Sequence, residues 1–497
     1  MEIDEIKSVR IAKLKALEAK GANPYGGKFG PIMAIHKLLS DFIEGKKIII
    51  AGRIIANREH GKVCFMDLLD QTSKIQLYVK ANVIGDAVFE LVKELDIGDI
   101  IGVEGDLFVT QKGEKSVRVE KLKVLSKSLM SLPEKWHGLK DVEIRYRQRY
   151  VDLIANPEVR ELFTKRSRII SFIRWILDQR GFLEVETPML QVMAGGARGR
   201  PFQSKHNTYD MEVFLRIAPE LYLKRLLVGG LEKVYEMNRN FRNEGISTRH
   251  NPEFTMLEVY QAYGDYEDMM KLTEDLISGA AKEITGSYKV VYQGKTIDFT
   301  PPWERRSFAK IVKEKFDINP DDDAKTMLEK VKAKRKVASV DKLTRSTVMK
   351  IAEEMLEDGE TANPVFFTEY FAFLSPLAKT IPGNPLIAER FEVFIAGMEV
   401  GNAYSELNDP QEQRARLEAD LSDDTETGLR QVDEDFLQAL EYGMPPAGGL
   451  GIGIDRLVML LTDAPSIRDV ILFPLLKPQA KLENKEEKER KQESSTK

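Results

Sequence analysis

Two arginines, a glutamate, a histidine and an aromatic ring fall close together in residues 240–254, which read NFRNEGISTRHNPEF. An arginine rising from a strand can hold a phosphate through two parallel, charge-assisted hydrogen bonds. An aromatic face can stack on a purine, and a carboxylate can accept a hydrogen bond from an exocyclic amine. These residue types in this order therefore predict a nucleotide site built on a sheet.

The elements that would position this site are two strands. Residues 234–237 precede it and residues 255–260 follow it, and both segments have the composition of strands. The sequence contains no Gly-x-x-x-x-Gly-Lys-Ser/Thr loop and no Rossmann glycine fingerprint. The pattern therefore favours a strand–loop–strand that holds the nucleotide over either of these common phosphate-binding folds.

Two further segments extend the pattern along the chain. Residues 181–188 read GFLEVETP, and residues 448–456 read GGLGIGIDR, which ends in a further arginine. In this order the three segments resemble the signature motifs of class II aminoacyl-tRNA synthetases, whose first motif lies at the interface of a homodimer. Within this class the chain most resembles lysyl-tRNA synthetases, and the likeness covers nearly all of it.

The resemblance implies an enzyme that ligates L-lysine to tRNA(Lys) with ATP in two steps. Lysyl-adenylate forms with release of pyrophosphate, and lysine is then transferred to the 3′ end of the tRNA. Because the attacking carboxylate is already an anion, such a site needs alignment and charge neutralisation and no nucleophilic serine or cysteine.

The resemblance assigns the catalytic roles to Arg242 and Arg456. Arg242 would bind the α-phosphate and the substrate carboxylate, and Arg456 would cover one face of adenine and touch the γ-phosphate. Glu244 would bind the adenine amine, Phe254 would stack on the other adenine face, and His250 would hold the terminal phosphates. The complete implied ATP-binding set is Arg242, Glu244, Arg249, His250, Asn251, Phe254 and Arg456. Taken singly, each would more often be structural, and their joint occurrence favours a site.

Two glutamates, Glu392 and Glu399, are the metal ligands that the resemblance implies, with Mg²⁺ held between them and the ATP phosphates. Magnesium is commonly bound by one or two carboxylates together with phosphate oxygens. At strand spacing these two side chains would face opposite ways unless the backbone bends between them, and Gly397 could supply the bend. Without the resemblance, both would be taken for surface salt-bridge partners.

Selection of lysine requires buried negative charge for the ε-ammonium group and a further acid for the α-amine. The resemblance implies a lysine-binding set of Glu220, Glu258, Tyr260, Asn402, Tyr404 and Glu406. Glu258 and Glu406 are the expected partners of the ε-ammonium group. An aspartate-specific enzyme would place a cation there instead, because a buried like charge would be left uncompensated.

Three other functions fit parts of the pattern. The same chemistry could act on aspartate or asparagine, and the acids at Glu258 and Glu406 argue against it. A paralogue that transfers lysine to a protein would lack the anticodon-binding domain. A catalytically inactive RNA-binding protein would not need Arg242, Glu244 or Arg456.

The predicted fold class is α+β: an N-terminal OB-fold β-barrel followed by a class II catalytic domain with an antiparallel sheet flanked by helices. The barrel prediction rests on five short strands, with a helix at about 82–95 between the third and the fourth; periodicity alone also permits another small barrel. The predicted strands are residues 48–55, 63–69, 75–79, 99–109 and 116–125. In the catalytic domain, a helix is predicted at 163–179 and a strand at 182–186.

The predicted domain boundaries follow changes in pattern along the chain. They are a helix and lead-in at 1–45, the OB-fold domain at 46–130, a linker at 131–142, the catalytic domain at 143–480 with a helical insertion at about 303–363, and a disordered charged tail at 481–497.

Three residues of the barrel, Arg53, Phe65 and Gln76, occupy the positions where the family contacts the anticodon. A phenylalanine on the barrel face can stack on an unpaired base, which contributes about 1–3 kcal/mol per base. Arginine and glutamine can bind the edges of uracil. The alternative for Phe65 is a side chain in the barrel core.

Composition excludes several other classes. The net charge of −5 is not that of a nonspecific DNA-coating protein, although local basic patches still permit RNA binding. No apolar run is long enough to span a membrane, and the first residues have no apolar signal core. The single cysteine, Cys64, allows no internal disulfide, and no zinc-ligand spacing occurs. A cytoplasmic enzyme is expected.

Overall fold

The structure is a computed structural model that describes residues 3–133, 139–193, 195–197, 199–334, 343–357, 362–423 and 431–478. The chain divides into two compact units, one of Met1–Asp141 with Tyr150–Asn156 and one of Val142–Arg149 with Pro157–Lys497. The predicted tail at 481–497 lies outside the described residues, as do residues 134–138 of the predicted linker. The domain boundaries drawn from the sequence stay predictions.

The first unit is built on a closed five-stranded barrel with strand order β1-β2-β3-β5-β4. The strands are β1 Lys47–His60, β2 Val63–Leu69, β3 Lys74–Lys80, β4 Ile100–Val109 and β5 Lys115–Ser126. Along β2 and β3 every second side chain is buried, which is the period-2 pattern of strands with one face on a core. Met66 and Leu77 are among the fully buried side chains of that core.

The first unit also contains the helices α1 Ile3–Ala19, α2 Ile35–Ser40, α3 Ala81–Ile84 and α4 Asp86–Val92. The single helix predicted at 82–95 is therefore wrong, because two helices meet at Gly85. That glycine has φ +86°, a left-handed conformation that a continuous right-handed helix does not allow.

The second unit contains an eight-stranded sheet with strand order β14-β15-β18-β19-β20-β11-β10-β6. Its strands are β6 Leu183–Glu184, β10 Lys233–Phe241, β11 Glu253–Ala262, β14 Glu304–Ser307, β15 Val365–Thr368, β18 Arg390–Ile395, β19 Met398–Ser405 and β20 Ala447–Gly453. The central pairs are antiparallel, and only the pairs at the two ends of the sheet are parallel. The predicted antiparallel sheet is confirmed.

Smaller sheets and helices surround this sheet. The remaining strands are β7 Leu190–Gln191, β8 Phe202–His206, β9 Met211–Leu215, β12 Lys289–Tyr292, β13 Lys295–Asp298, β16 Thr380–Ile381 and β17 Asn384–Ala388. The helices of this unit are α5 Val142–Arg147, α7 Pro157–Gln179, α8 Glu220–Val228, α9 Tyr266–Thr285, α10 Phe308–Phe316, α11 Ala324–Lys332, α12 Arg345–Glu357, α13 Pro410–Asp423, α14 Glu434–Glu441 and α15 Ile454–Thr462. Helix α6, Arg149–Ala155, belongs to the first unit from Tyr150 onward. Among the described residues, no helix combines the length and apolar character that a membrane crossing requires.

Helices α7, α9 and α15 contribute buried side chains to one large core with the sheet. Helix α9 begins with a capping box, in which the side chain of Asp265 accepts hydrogen bonds from the backbone of Glu267 and Asp268. It ends at Gly286, whose φ of +77° is the left-handed conformation typical of a helix C-terminus. Rigid packing on this side gives the opposite side of the sheet a fixed geometry.

The predicted helical insertion at about 303–363 differs from the structure at its start. Residues 304–307 form β14, an edge strand of the main sheet that runs parallel to β15. These four residues, ERRS, have no alternation of apolar and polar side chains, so no strand was predicted there. Helices α10 and α11 follow and share a separate core with β15, while residues 335–342 and 358–361 lie outside the described part of the chain.

Candidate active site

The middle strands of the large sheet, β11, β19 and β20, form the floor of a pocket. Nearly every residue predicted for the ATP and amino-acid sites lines it, although the residues come from distant parts of the chain. The predicted residues in its lining are Glu220, Arg242, Glu244, Arg249, His250, Asn251, Phe254, Glu258, Tyr260, Glu399, Asn402, Tyr404, Glu406 and Arg456. Glu392 is the one predicted residue of this unit that does not line it.

The floor depends on glycines in β20. Gly449 lies between Tyr260 and Tyr404 in the register of the sheet, and Gly451 lies between Glu258 and Asn402. A Cβ atom at Gly449 would lie 1.8 Å from Oε1 of Glu406 and 2.7 Å from the Tyr260 ring. Glycine at alternate positions of a strand leaves one face without side chains. This role of the glycine run was not predicted, although the alternation itself is visible in the sequence.

Arg242 lies at the end of β10, where its backbone N–H donates to the carbonyl of Pro252 at 2.9 Å. Its guanidinium group lies over the ring of Phe254, 5.3 Å from the ring centroid. Within the described part of the chain, the Nε atom of Arg242 is buried and has no hydrogen-bond partner. Burial lowers the pKa of Arg242. A desolvated cation with an unused donor is prepared for an anionic ligand.

Arg456, at the start of α15, connects two other predicted residues. Its Nη1 atom donates to the backbone carbonyl of Glu399 at 2.5 Å, and its Nη2 atom lies 3.1 Å from Nε2 of His250. The other ring nitrogen of His250 lies 2.9 Å from Oγ of Ser247. Partial burial and the charge of Arg456 lower the pKa of His250. A neutral imidazole that accepts from Arg456 at Nε2 and donates to Ser247 at Nδ1 satisfies both contacts.

Asp455 holds β11, the strand of Phe254, against the start of α15. Its Oδ2 atom accepts from the backbone N–H of Thr255 at 2.7 Å, and its Oδ1 atom pairs with Arg166 of α7 at 2.7 Å. The carboxylate is nearly fully buried. Its role was missed, because an aspartate beside Arg456 at a helix start reads as an ordinary helix-terminal acid.

Three buried carboxylates, Glu220, Glu258 and Glu406, lie at the end of the pocket around Tyr260 and Tyr404. Tyr404 donates to Glu220 at 2.6 Å, and Tyr260 donates to Glu258 at 3.1 Å. Burial and the charge of Glu220 raise the pKa of Glu258 to about 8. No lysine or arginine of the described residues pairs with Glu258. This end of the pocket is therefore suited to a cationic group.

The two predicted metal ligands lie on adjacent strands. Residues 396 and 397 form the turn between β18 and β19, with φ values of +50° and +71°, so the bend expected at Gly397 is present. Glu392 pairs with Asn402, and Phe394 pairs with Glu399, with an irregularity between the two pairs. That irregularity places Glu392 and Glu399 on the same face of the sheet. Glu392 is engaged by Arg390 at 2.5 Å and by Tyr370 at 2.7 Å.

In the barrel, the three predicted anticodon contacts are half-buried on strands β1, β2 and β3. Phe65 alternates with the fully buried Cys64 and Met66, so its ring lies outside the barrel core and the core alternative is wrong. Gln76 bonds to Glu114 at 3.1 Å, and Arg53 donates to the carbonyl of Gly98 at 2.7 Å.

The ring of Phe65 begins a series of contacts across the outer face of the barrel. Its centroid lies 5.3 Å from that of Tyr78, which lies 5.7 Å from that of Phe108. The guanidinium of Arg118 lies 5.1 Å from the centroid of Phe108. Half-buried rings beside a cation are what stacking on unpaired bases requires; Tyr78, Phe108 and Arg118 were not predicted.

Comparisons with known proteins agree with both units. The family described as tRNA synthetases class II (D, K and N) matches residues 141–477, and an OB-fold nucleic acid binding domain matches residues 48–125. A lysine–tRNA ligase of Syntrophomonas wolfei is 54% identical over 491 residues, which cover 97% of this chain and 98% of the relative. A lysine–tRNA ligase of Pelotomaculum thermopropionicum is 54% identical over 488 residues, which cover 96% of each chain. A lysine–tRNA ligase of Carboxydothermus hydrogenoformans is 53% identical over 485 residues, which cover 96% of this chain and 99% of the relative.

Proposed function

Because the chain belongs to the lysine–tRNA ligases of the class II aminoacyl-tRNA synthetases, we propose that the pocket on its large sheet binds lysine and ATP through the residues described above. The protein attaches lysine to tRNA in an ATP-dependent reaction. The family, the fold class and the activity expected from the sequence are thereby confirmed. The individual roles of the residues are the proposal.

In the first step, the carboxylate of lysine attacks the α-phosphorus of ATP and pyrophosphate leaves. Arg242 is placed to bind both reacting anions, because it lines the pocket and its buried Nε donor has no hydrogen-bond partner among the described residues. Arg456 would bind the outer phosphates from the other side, and His250 would join it when one of its ring nitrogens leaves its present partner, Arg456 or Ser247. Glu244 would bind the adenine amine and Asn251 completes the set. These groups align reactants and neutralise charge, which is the catalysis that this reaction needs.

Phe254 has a narrower role than the one expected from the sequence. One face of its ring already carries the guanidinium of Arg242 at 5.3 Å. Adenine would therefore use the other face, and the same ring would hold Arg242 in position through a cation–π contact.

The group of three buried carboxylates is the observation that favours lysine as the amino-acid substrate. Glu258 and Glu406 would receive the ε-ammonium group and Glu220 the α-amine, with Tyr260, Tyr404 and Asn402 around them. Aspartate or asparagine would bring no cationic side chain to these carboxylates. Charging of unfractionated tRNA with radiolabelled lysine, aspartate and asparagine tests this, and only lysine should be incorporated. Incorporation of aspartate or asparagine would contradict the assignment.

A magnesium ion bound to ATP is part of the proposal. Glu399 fits this role because its carboxylate lines the pocket beside Arg456, at 3.6 Å. The carboxylate of Glu392 is also a suitable magnesium ligand and lies on the same face of the sheet as Glu399. To bind a cation directly, it must break its contact with Arg390 or Tyr370. Magnesium bound here would neutralise charge on the phosphates of ATP.

Gly449→Ala should impair lysine binding selectively. The added methyl would lie 1.8 Å from Glu406 Oε1, so the carboxylate must move and the lysine site is distorted. We expect the KM for lysine to rise about tenfold or more, with a much smaller change in the KM for ATP. Gly453→Ala in the same strand is the comparison, since its Cβ would approach no atom closer than 3.6 Å. Equal effects of the two substitutions would contradict the steric argument.

The outer face of the barrel is proposed to bind the anticodon of tRNA(Lys) through Arg53, Phe65 and Gln76. Phe65→Ala should reduce kcat/KM for tRNA charging by about tenfold, since one stacked base contributes about 1–3 kcal/mol. Pyrophosphate exchange without tRNA should be unchanged. Tyr25→Ala removes another exposed aromatic of this unit and should affect neither. Equal loss of charging and exchange in Phe65→Ala would remove the anticodon role.

A homodimer in the cytoplasm completes the proposal. The strand β6 of the first motif lies at one edge of the eight-stranded sheet, and the nearby side chains of Leu183, Leu190 and Val192 are exposed. An edge strand with exposed apolar neighbours is suited to cover by a second copy. Light scattering should give the mass of two chains, and the mass of one chain would contradict this part.

A further inference from the structure

Lys224 lies directly behind the carboxylate end of the pocket and is not exposed to solvent at all. It is on α8, one turn after Glu220. Its Nζ atom lies 2.8 Å from Oε1 of Glu220 and 2.5 Å from Oε2 of Glu406. The lining of the pocket includes both glutamates but not Lys224. Lys224 therefore acts on a ligand through groups that line the pocket, of which these two carboxylates are its ion-pair partners.

The surroundings of Lys224 favour its charged form. Burial alone would lower its pKa, but the charges of Glu220 and Glu406 raise it above its ordinary value. The rings of Tyr404 and Phe436 lie 5.5 Å and 6.0 Å from its Nζ atom, and aromatic faces attract a cation. A buried cation paired with two carboxylates is costly to disrupt.

The charges of this cluster match those of the substrate. The cluster contains the ammonium group of Lys224 and three carboxylates, those of Glu220, Glu258 and Glu406. When all four groups are ionised, two negative charges remain unbalanced. Lysine carries two ammonium groups, on its α and ε positions, while its carboxylate is proposed to bind Arg242. Without Lys224 the same substrate would leave one buried carboxylate uncompensated, and buried unpaired charges are strongly unfavourable.

We propose that Lys224 is a positioning and specificity-determining residue: an internal ammonium group that fixes Glu220 and Glu406 and leaves the site with the negative charge that a diamino acid neutralises. This inference rests on the proposed function of the pocket. Lys224 touches no substrate, so its effect is exerted through the two glutamates.

The pH dependence of lysine binding is set by the titratable and charged groups around Lys224 on each neighbouring element. These groups are Glu220 on α8, Glu258 and Tyr260 on β11, Tyr404 and Glu406 at the end of β19, and the buried pair of Arg216 and Glu236, whose charges act on Glu258. Removing the positive charge of Lys224 raises the pKa of Glu406, because a neighbouring cation favours the ionised form of a carboxyl group. A higher pH then becomes necessary before this carboxylate can bind an ammonium group.

The experiment compares Lys224→Met with the wild type in lysine-dependent pyrophosphate exchange between about pH 6 and pH 9. At pH 7 the KM for lysine should rise by roughly tenfold or more, since one pKa unit changes the ionised fraction about tenfold, while the KM for ATP stays the same. The defect should shrink as the pH rises. Lys224→Arg, which keeps the charge, should retain the pH profile of the wild type. Lys271→Met, at a lysine whose side chain is 68% exposed, is the matched control and should change nothing.

Two results would overturn the proposal. One is a wild-type KM for lysine in Lys224→Met; the other is a rise of equal size at every pH, which indicates distortion alone. If Lys224→Met does not fold, the test passes to Lys224→Arg. A wild-type dependence of the KM for lysine on pH in this variant supports the proposal, and a dependence displaced to higher pH overturns it. Absence of lysine-dependent exchange in the wild type would instead contradict the proposed function itself.

Discussion

Arg242→Ala should abolish adenylate formation while leaving the fold intact. The guanidinium is proposed to neutralise both the α-phosphate and the attacking carboxylate, and its Nε donor has no other partner among the described residues. Removal of a single donor to a developing anion typically costs about 10²–10³ in kcat. Since Arg242 would serve two anions, we expect a loss of about 10³-fold or more in lysine-dependent pyrophosphate exchange.

Arg414→Ala provides the control for this substitution. Arg414 forms an exposed ion pair with Glu434 at 2.6 Å, and exposed pairs contribute at most about 1 kcal/mol. Its exchange activity should remain close to that of the wild type, and circular dichroism should show that both variants fold. Near-normal exchange in Arg242→Ala would remove this residue from the site.

Lysine binding should strengthen as the pH rises from about 6 to about 9. Without ligand, burial and Glu220 raise the pKa of Glu258 to about 8, so this carboxyl group is mostly protonated at neutral pH. An ammonium group favours the ionised form, so binding must release a proton below that pKa. Calorimetric titration of lysine in buffers of different ionisation enthalpy measures the protons released. Binding that is independent of pH and releases no proton would contradict the role of Glu258.

Glu258→Gln should remove the contribution of Glu258 to this pH dependence and most of the lysine selectivity. An uncharged amide cannot balance the ε-ammonium group, and loss of one partner of a buried charge pair costs about 2–5 kcal/mol. We expect kcat/KM for lysine to fall about 10²-fold or more.

The stability of the same variant provides an independent measurement. The folded pKa of Glu258, about 8, lies above its ordinary value of 4.5. The folded state therefore holds a proton that the unfolded chain releases between these values, and this carboxyl group destabilises the ligand-free fold as the pH rises through that window. Glutamine does not titrate, so at pH 8 the variant should unfold at a temperature equal to or above that of the wild type. A lower temperature would indicate that glutamine disrupts the packing.

The second- and third-motif residues, which the structure brings to one pocket, could be grouped from the sequence because each set is contiguous. Arg242 and Glu244 lie in the loop that joins the paired strands β10 and β11, and Phe254 lies at the start of β11, so their proximity follows from local structure. Glu220 and Glu406 are far apart in the chain, and only the family resemblance joined them before the structure placed both at one end of the pocket. Periodicity alone could not have paired them, because it describes single elements.

Other features depended on tertiary contacts that the sequence does not display. Lys224 follows Glu220 by one helical turn, which is the spacing of an ordinary exposed ion pair on a helix. Only the structure shows that Lys224 is buried and that Glu406 is its second partner. Glu392 was predicted as a metal ligand, yet its carboxylate is held by Arg390 and Tyr370. The arrangement of Arg242 over Phe254 narrows the role of that ring.

Amino-acid-dependent exchange of pyrophosphate into ATP, measured with magnesium, without tRNA and with each of the twenty amino acids, tests the assignment of the whole pocket. We expect exchange with lysine alone, since only lysine brings a second ammonium group that can extend to Glu258 and Glu406. Exchange with aspartate or asparagine would keep the ATP site and contradict the assignment of these carboxylates. Absence of exchange with every amino acid would contradict the proposed active site as a whole.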